Sequence, residues 1–138
     1  MTGTFYHSMD DKGRLFIPAR LRDELGDVFH VTRSLENCLT AYSDEMWEIA
    51  INKLKTMPQA AQVQLRPLFS QAHKCEPDSQ GRIKLPQYLR DAVGLKRNVT
   101  VVGIGLYVQL WDSDTYKPIE EQETAAPNIA DVIREHGF

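Results

Sequence analysis

An aspartate precedes an arginine by four residues at two places, Asp10/Arg14 and Asp78/Arg82, and each pair encloses a glycine, Gly13 or Gly81. The chemistry open to such a set is recognition of a charged or polar partner rather than bond breaking. Arginine carries a rigid planar fork that fits guanine O6 and N7 in a DNA major groove. A carboxylate is repelled by phosphate. Asp10 and Asp78 therefore suit a different role, orienting the arginine through a charged hydrogen bond or closing the turn through an Asx-type bond. A simple fold-stabilising ion pair is the competing reading. Lys12, Arg20, Arg22, Lys84 and Arg90 are candidate phosphate contacts, which set position and general affinity but not sequence choice. For Arg22 and Arg90, pairing with nearby acidic residues is the alternative.

The elements that must hold these residues are duplicated. D-D-K-G-R-L-F-I-P-A-R-L-R-D-E-L-G at 10–26 returns as D-S-Q-G-R-I-K-L-P-Q-Y-L-R-D-A-V-G at 78–94. At an offset of 68, Asp10/Asp78, Gly13/Gly81, Arg14/Arg82, Pro18/Pro86, Leu21/Leu89, Arg22/Arg90, Asp23/Asp91 and Gly26/Gly94 coincide. An internal repeat of this kind decides the architecture before any local reading does. In each copy, a glycine turn leads into a short apolar strand, at 14–17 and 82–85. Proline then opens a helix of about two turns, and Gly26 or Gly94 closes it. Leu21 with Leu25, and Leu89 with Val93, share one helix face. Arg22 and Arg90 are expected to point away from that small core.

The rest of the chain reads in the same units. Strands are expected at 5–9, 28–31 and 38–42, with a loop at 32–37. A helix capped by Ser43 or Asp44 runs to about Lys55, with Trp47, Ala50, Ile51 and Leu54 as its buried stripe. A second helix covers 59–69, although Pro67 weakens its end. After the second motif, 99–104 and 106–111 form a hairpin turned at Gly103 and Gly105. Tyr42 matches Trp111, and Trp47 matches Tyr116, if the second copy gains one residue in its loop. Pro118 is expected to cut the following helix short. Ile129, Val132 and Ile133 suit a small terminal helix or docking on a neighbouring subunit. The expected divisions are 1–57 for the first repeat and its helix, 58–72 for a connecting helical segment, 73–123 for the second repeat and 124–138 for a tail.

A chain of 138 residues with 42% hydrophobic and 25% charged residues is an ordinary globular composition. A repeat of about 50 to 60 residues has little core of its own, so the copies are expected to pack together or interlock. The net charge of −3 excludes a generally basic protein. Cations nevertheless cluster at Lys12, Arg14, Arg20 and Arg22, and again at Arg82, Lys84, Arg90, Lys96 and Arg97. Acidic residues gather at Glu120, Glu121 and Glu123. A segregated field of this kind can attract a polyanion.

Cys38 and Cys75 are too few for a disulfide framework, and His73-x-Cys75 is an incomplete metal set. No cofactor or metal is expected. The glycine turns place no Ser or Cys nucleophile beside a base, and they match neither a Walker loop nor a Rossmann turn, so the chain is not expected to be an enzyme. It begins without a signal-like basic and apolar run, and no stretch reaches membrane-spanning length. A cytoplasmic location without membrane association is the expectation.

The paired D-x-x-x-R stretches resemble the bacterial MraZ family, within the AbrB-like (SpoVT-AbrB) swapped-hairpin group, and the resemblance runs from Phe5 to about Glu123. It implies a mixed α/β fold: a tandem-duplicated, AbrB-like swapped-hairpin β core, forming a pseudo-dimer within one chain, with connecting helices. It also implies a homo-oligomeric ring that binds double-stranded DNA at direct repeats upstream of the division and cell-wall gene cluster. The implied activity is transcriptional regulation, usually repression, in association with the nucleoid. By this resemblance Arg14 and Arg82 contact DNA. Lys12 has Gln80 as its counterpart, so the copies are expected to be unequal. The alternative is an oligomeric protein-interaction module of the same fold without specific DNA readout.

Overall fold

The computed structural model describes residues 1–125 and 128–137. The parts of the tail expectation that fall on 126, 127 and 138 lie outside the described residues. The chain order is β1 (Thr2–Ser8), β2 (Arg14–Phe16), α1 (Ala19–Leu25), β3 (Phe29–Arg33), β4 (Leu39–Ser43) and α2 (Asp44–Lys55). It continues through α3 (Gln59–Ser70), β5 (His73–Cys75), β6 (Arg82–Lys84), α4 (Gln87–Val93), β7 (Asn98–Ile104), β8 (Val108–Asp112), α5 (Ser113–Ala125) and α6 (Ile129–His136). The fold is mixed α/β and contains two similar strand–helix units.

The units exchange their leading strands. β1, from the first unit, pairs antiparallel with β7 of the second, and β5, from the second, pairs with β3 of the first. The six-stranded sheet therefore runs β1-β7-β8-β4-β3-β5, and a separate two-stranded ribbon joins β2 to β6. Swapping the units reverses the strand order into itself, which is a pseudo-twofold arrangement. The registers obey it too. Phe5 lies opposite Val101, and its counterpart His73 lies opposite Val31.

Register bears out the net one-residue gain that matches Tyr42 with Trp111, and resolves it into two steps. Val31 pairs with Ala41 and Val101 with Leu110. The offset between units is thus 70 in β3/β7 and 69 in β4/β8. Two residues are gained before β7 and one is lost in the hairpin. Gly103 is not in that turn but inside β7, opposite Gly3 and Val108. A Cβ there would lie 2.8 Å from the Thr2 backbone, so the close approach of β1 requires glycine. β3 begins and ends later than expected, and it takes in Thr32 and Arg33.

Alternation divides the sheet into two faces. Phe29, Val31, Leu39, Ala41, Val99, Val101, Val108 and Leu110 join Leu15, Ile17, Leu21, Leu25, Ile83, Leu85, Leu89 and Val93 in one buried core. The ribbon and both motif helices thus pack on one face of a shared sheet. The opposite face carries aromatic residues under the longer helices. His30 stacks on Trp47 at 5.3 Å, and Phe69 packs on Trp47 at 5.2 Å. Trp111 packs on Tyr116 at 5.2 Å, beside Cys38 and Val102. Ser43 caps α2, its Oγ accepting from the Met46 N–H at 3.2 Å.

Neither internal proline ends its helix. α5 passes through Pro118 to Ala125 and α3 through Pro67 to Ser70, which corrects the expected early stop at Pro118. Each proline removes one helical hydrogen bond. Burial of Tyr116 and Ile119 against Trp111 holds α5 across the gap. The Thr32 hydroxyl, donating to the Leu68 carbonyl at 2.5 Å, and the Phe69–Trp47 contact hold the end of α3. No helix among the described residues is long and apolar enough to cross a membrane.

Candidate nucleic-acid interface

The two D-x-x-x-R turns have nearly the same construction. Asp10 Oδ1 accepts the backbone N–H groups of Lys12 (3.0 Å) and Arg14 (2.9 Å), and its Oδ2 accepts Arg14 Nε–H at 2.5 Å. Asp78 Oδ1 accepts the N–H groups of Gln80 and Arg82, both at 2.9 Å, and its Oδ2 accepts Arg82 Nε–H at 3.0 Å. One carboxylate therefore closes the turn and aligns the arginine at once. Hydrogen bonding holds both carboxyls below the usual aspartate range. The largest cause is the backbone N–H of Arg14 or Arg82; desolvation opposes it, and the arginine side chains and the N–H groups of Lys12 and Gln80 add to it. Among the described residues, the hydrogen bonds of the two guanidinium groups run through Nε. Their terminal nitrogens take no partner among the described residues.

Gly13 and Gly81 adopt φ of +80° and +78°, which other residues rarely take. Their space is also closed from the other unit. A Cβ on Gly13 would lie 2.7 Å from the Leu85 carbonyl and 2.8 Å from Arg90 Nε, and one on Gly81 would lie 2.7 Å from Arg22 Cζ.

The ribbon sets the arginines in register. Leu15 pairs with Ile83 and both are buried, so Arg14, Phe16, Arg82 and Lys84 lie on the opposite, solvent side. Arg14 is directly opposite Lys84, and Phe16 is opposite Arg82. The strands are antiparallel, so the two turns stand at opposite ends. One end gathers Lys12, Arg14 and Lys84. The other holds Gln80, Arg82 and Phe16, whose ring is flanked by His7 at 5.2 Å and by the Arg22 guanidinium at 5.5 Å. Like charges directly opposite are unfavourable by themselves, and an anion at that end would relieve the Arg14–Lys84 repulsion.

The remaining sequence candidates separate. Lys12 and Lys84 are exposed. Arg20 is exposed on α1, its guanidinium 5.9 Å from the Phe5 ring centre, and it is not on the ribbon. Its counterpart Tyr88 donates its hydroxyl hydrogen to the Gln71 carbonyl. Arg22 and Arg90 do not point away from the core as expected. Both are half-buried, with Arg22 Nε donating to the Ile17 carbonyl at 2.8 Å and Arg90 Nε to the Leu85 carbonyl at 3.0 Å. Their hydrogen bonds go to these carbonyls rather than to neighbouring carboxylates. Sequence reading did not select Phe16 or His7 for this surface. The only signal was that Phe16 and Lys84 occupy the same repeat position.

The cysteines lie outside this surface. Burial pushes both thiols up to about 12; for Cys38 a Ser34 hydrogen bond opposes this and Glu36 adds to it. Among the described residues, no group of three or more His, Cys, Asp or Glu side chains could hold a metal ion.

The family model described as "MraZ protein, putative antitoxin-like" matches residues 1–66 and again 68–137. A protein of Alkaliphilus metalliredigens is 43% identical over 140 residues, covering 99% of this chain and 98% of the relative. One from Carboxydothermus hydrogenoformans is 41% identical over 117 residues, covering 83% and 82%. One from Heliobacterium modesticaldum is 40% identical over 133 residues, covering 94% and 92%. Each of the three bears the name transcriptional regulator MraZ.

Proposed function

This chain belongs to the MraZ family, and on that premise we propose that it is a sequence-specific, DNA-binding transcriptional regulator. The observation that carries this reading is the ribbon surface. Two arginines are held by their own aspartates with their terminal nitrogens unengaged, on a two-stranded element narrow enough for a major groove. In this reading Arg14 and Arg82 read base edges and Lys12, Lys84 and Arg20 contact phosphates. Asp10, Asp78, Gly13 and Gly81 hold the turns.

The exchange of β1 and β5 between units supports reading the chain as an AbrB-like swapped-hairpin pseudo-dimer. Action as a repressor at tandem repeats upstream of the division and cell-wall cluster, in the cytoplasm and at the nucleoid, belongs to the same proposal. So does ring assembly. α6 exposes Ile129, Val132 and Ile133, an apolar stripe available to a neighbouring subunit. A ring on a tandem-repeat site would raise a weak single-unit affinity by multivalency.

A mobility-shift titration against the DNA upstream of its own gene, at several salt concentrations, tests the reading. Salt-weakened binding that prefers this DNA over a shuffled duplex is expected. Equal affinity for both, or no binding at low salt, overturns it.

A further inference from the structure

We propose that Arg22 and Arg90 are positioning residues that act across the two units: Arg22 holds the turn that carries Arg82, and Arg90 holds the turn that carries Arg14. The consequence for DNA rests on the function proposed above; the clamp itself does not.

Two separate places show the same geometry. Arg22 donates from Nε to the Ile17 carbonyl, at the exit of its own ribbon strand. The N–H of that same Ile17 donates to the Gly81 carbonyl of the other unit at 3.0 Å. The Arg22 guanidinium meanwhile lies against Gly81, its Cζ, Nε and one terminal nitrogen 2.7, 2.8 and 3.0 Å from where a Cβ would stand. In the mirror arrangement, Arg90 donates to the Leu85 carbonyl, and the Leu85 N–H donates to the Gly13 carbonyl at 2.8 Å. Arg90 Nε and Cζ lie 2.8 and 2.9 Å from the Cβ position of Gly13. Each turn is thus enclosed by its own aspartate and by the opposite unit's arginine.

This geometry suits a support better than a phosphate ligand. Arg14 and Arg82 are tied to carboxylates of their own turns on the outer side of the ribbon, whereas the Arg22 and Arg90 heads lie flat against the opposite unit's glycine with Nε–H committed to main-chain carbonyls. A charge-assisted bond to a carbonyl offsets the partial desolvation, and a flat guanidinium is the side-chain end that can lie close over an α carbon. Gly13 and Gly81 immediately precede Arg14 and Arg82, so displacement of the glycine moves the reading side chain. Recognition geometry of this kind must be held to about 0.5 Å.

The test uses the full chain with Arg90→Leu and Arg22→Leu, and with Arg90→Lys and Arg22→Lys as milder variants that keep the charge but lose the planar head. Amide hydrogen exchange, followed by NMR without DNA, reads the clamp. In Arg90→Leu the Lys12, Arg14 and Leu85 amides are expected to exchange about tenfold faster, while those of Gln80 and Arg82 keep wild-type rates. Arg22→Leu reverses the pattern, and the lysine variants show the same pattern at smaller amplitude. Loosening confined to the variant's own unit, equal loosening of both turns, or unchanged rates in all four variants would overturn the proposal.

The second readout is discrimination between a duplex enriched from randomised DNA by the wild-type chain and its scrambled counterpart. Arg90→Leu should reduce it further in an Arg82→Ala background and add nothing in an Arg14→Ala background. Additive loss in both backgrounds, with a reduced salt slope, marks a phosphate contact and overturns the positioning role. If exchange follows the crosswise pattern but Arg14→Ala and Arg82→Ala leave discrimination intact, the clamp stands and the DNA-reading role of those arginines falls.

Discussion

Leu15 lies directly opposite Ile83 on the pseudo-twofold axis of the ribbon, and both side chains are buried. Equivalent positions of the two units thus form one cross-unit contact inside a single core. The ribbon places Arg14 beside Lys84 on its other side, so the same pairing sets both stability and the charge of the candidate interface.

Because the core is shared, Leu15→Ala and Ile83→Ala should each destabilise the whole chain, by about 2–5 kcal/mol. Urea unfolding followed by circular dichroism and by tryptophan fluorescence should give one coincident transition, shifted in each variant. Two separated transitions, one for each unit, would contradict an interlocked core.

Arg14→Ala and Arg82→Ala should leave the fold intact and remove about 1–3 kcal/mol of base discrimination for each engaged site. Lys84→Ala should weaken specific and nonspecific binding alike and lower the salt slope by about 1. Fluorescence-anisotropy titration against enriched and scrambled duplexes, with circular dichroism as a control, separates these behaviours. Wild-type preference in both folded arginine variants would place recognition elsewhere.

Hydrogen bonding lowers the pKa of both Asp10 and Asp78, so the sign of their pH effect is set. A carboxyl whose folded pKa lies below its unfolded value of about 3.9 stabilises the fold above that value, and the contribution is lost as pH falls through the folded pKa. Urea midpoints of the wild type should decline on acidification from pH 5 to pH 2 more steeply than those of Asp10→Asn/Asp78→Asn. Parallel curves would mean that the two carboxylates contribute nothing to folding.

With both thiols pushed up to about 12 by burial, Cys38 and Cys75 are protonated at neutral pH and shielded from reagents. Ellman's reagent should label neither at an appreciable rate in buffer, and both on unfolding. Rapid labelling of one cysteine in the native chain would show that its side of the sheet opens.

Local readings succeeded where the determining groups are close in sequence. The turns at Asp10–Gly13 and Asp78–Gly81, the two-turn helices between proline and glycine, and the Ser43 cap each depend on atoms a few residues apart, where backbone sterics and short hydrogen bonds decide. The offset of 68 also told that the two arginines would sit in like settings. The Asp10–Arg14 and Asp78–Arg82 contacts lie within that range, so this much of the candidate site was legible.

The rest depends on which distant strands meet. Lys84 belongs by sequence to the second basic cluster, yet antiparallel pairing of β2 with β6 sets it beside Arg14. Arg22 and Arg90 lie on exposed-looking helix positions, and the opposite unit's glycine turn gives both heads a surface to cover. Pro118 and Pro67 are helix breakers by local rule, but burial of Tyr116, Ile119 and Phe69 outweighs one lost hydrogen bond. Tertiary burial decides such matters because joining strands far apart in sequence carries a loop-closure cost that only a shared core repays. The sequence by itself therefore determined the two turns and their arginines. The exchange of leading strands decided which residues of one unit support, and which stand beside, those of the other.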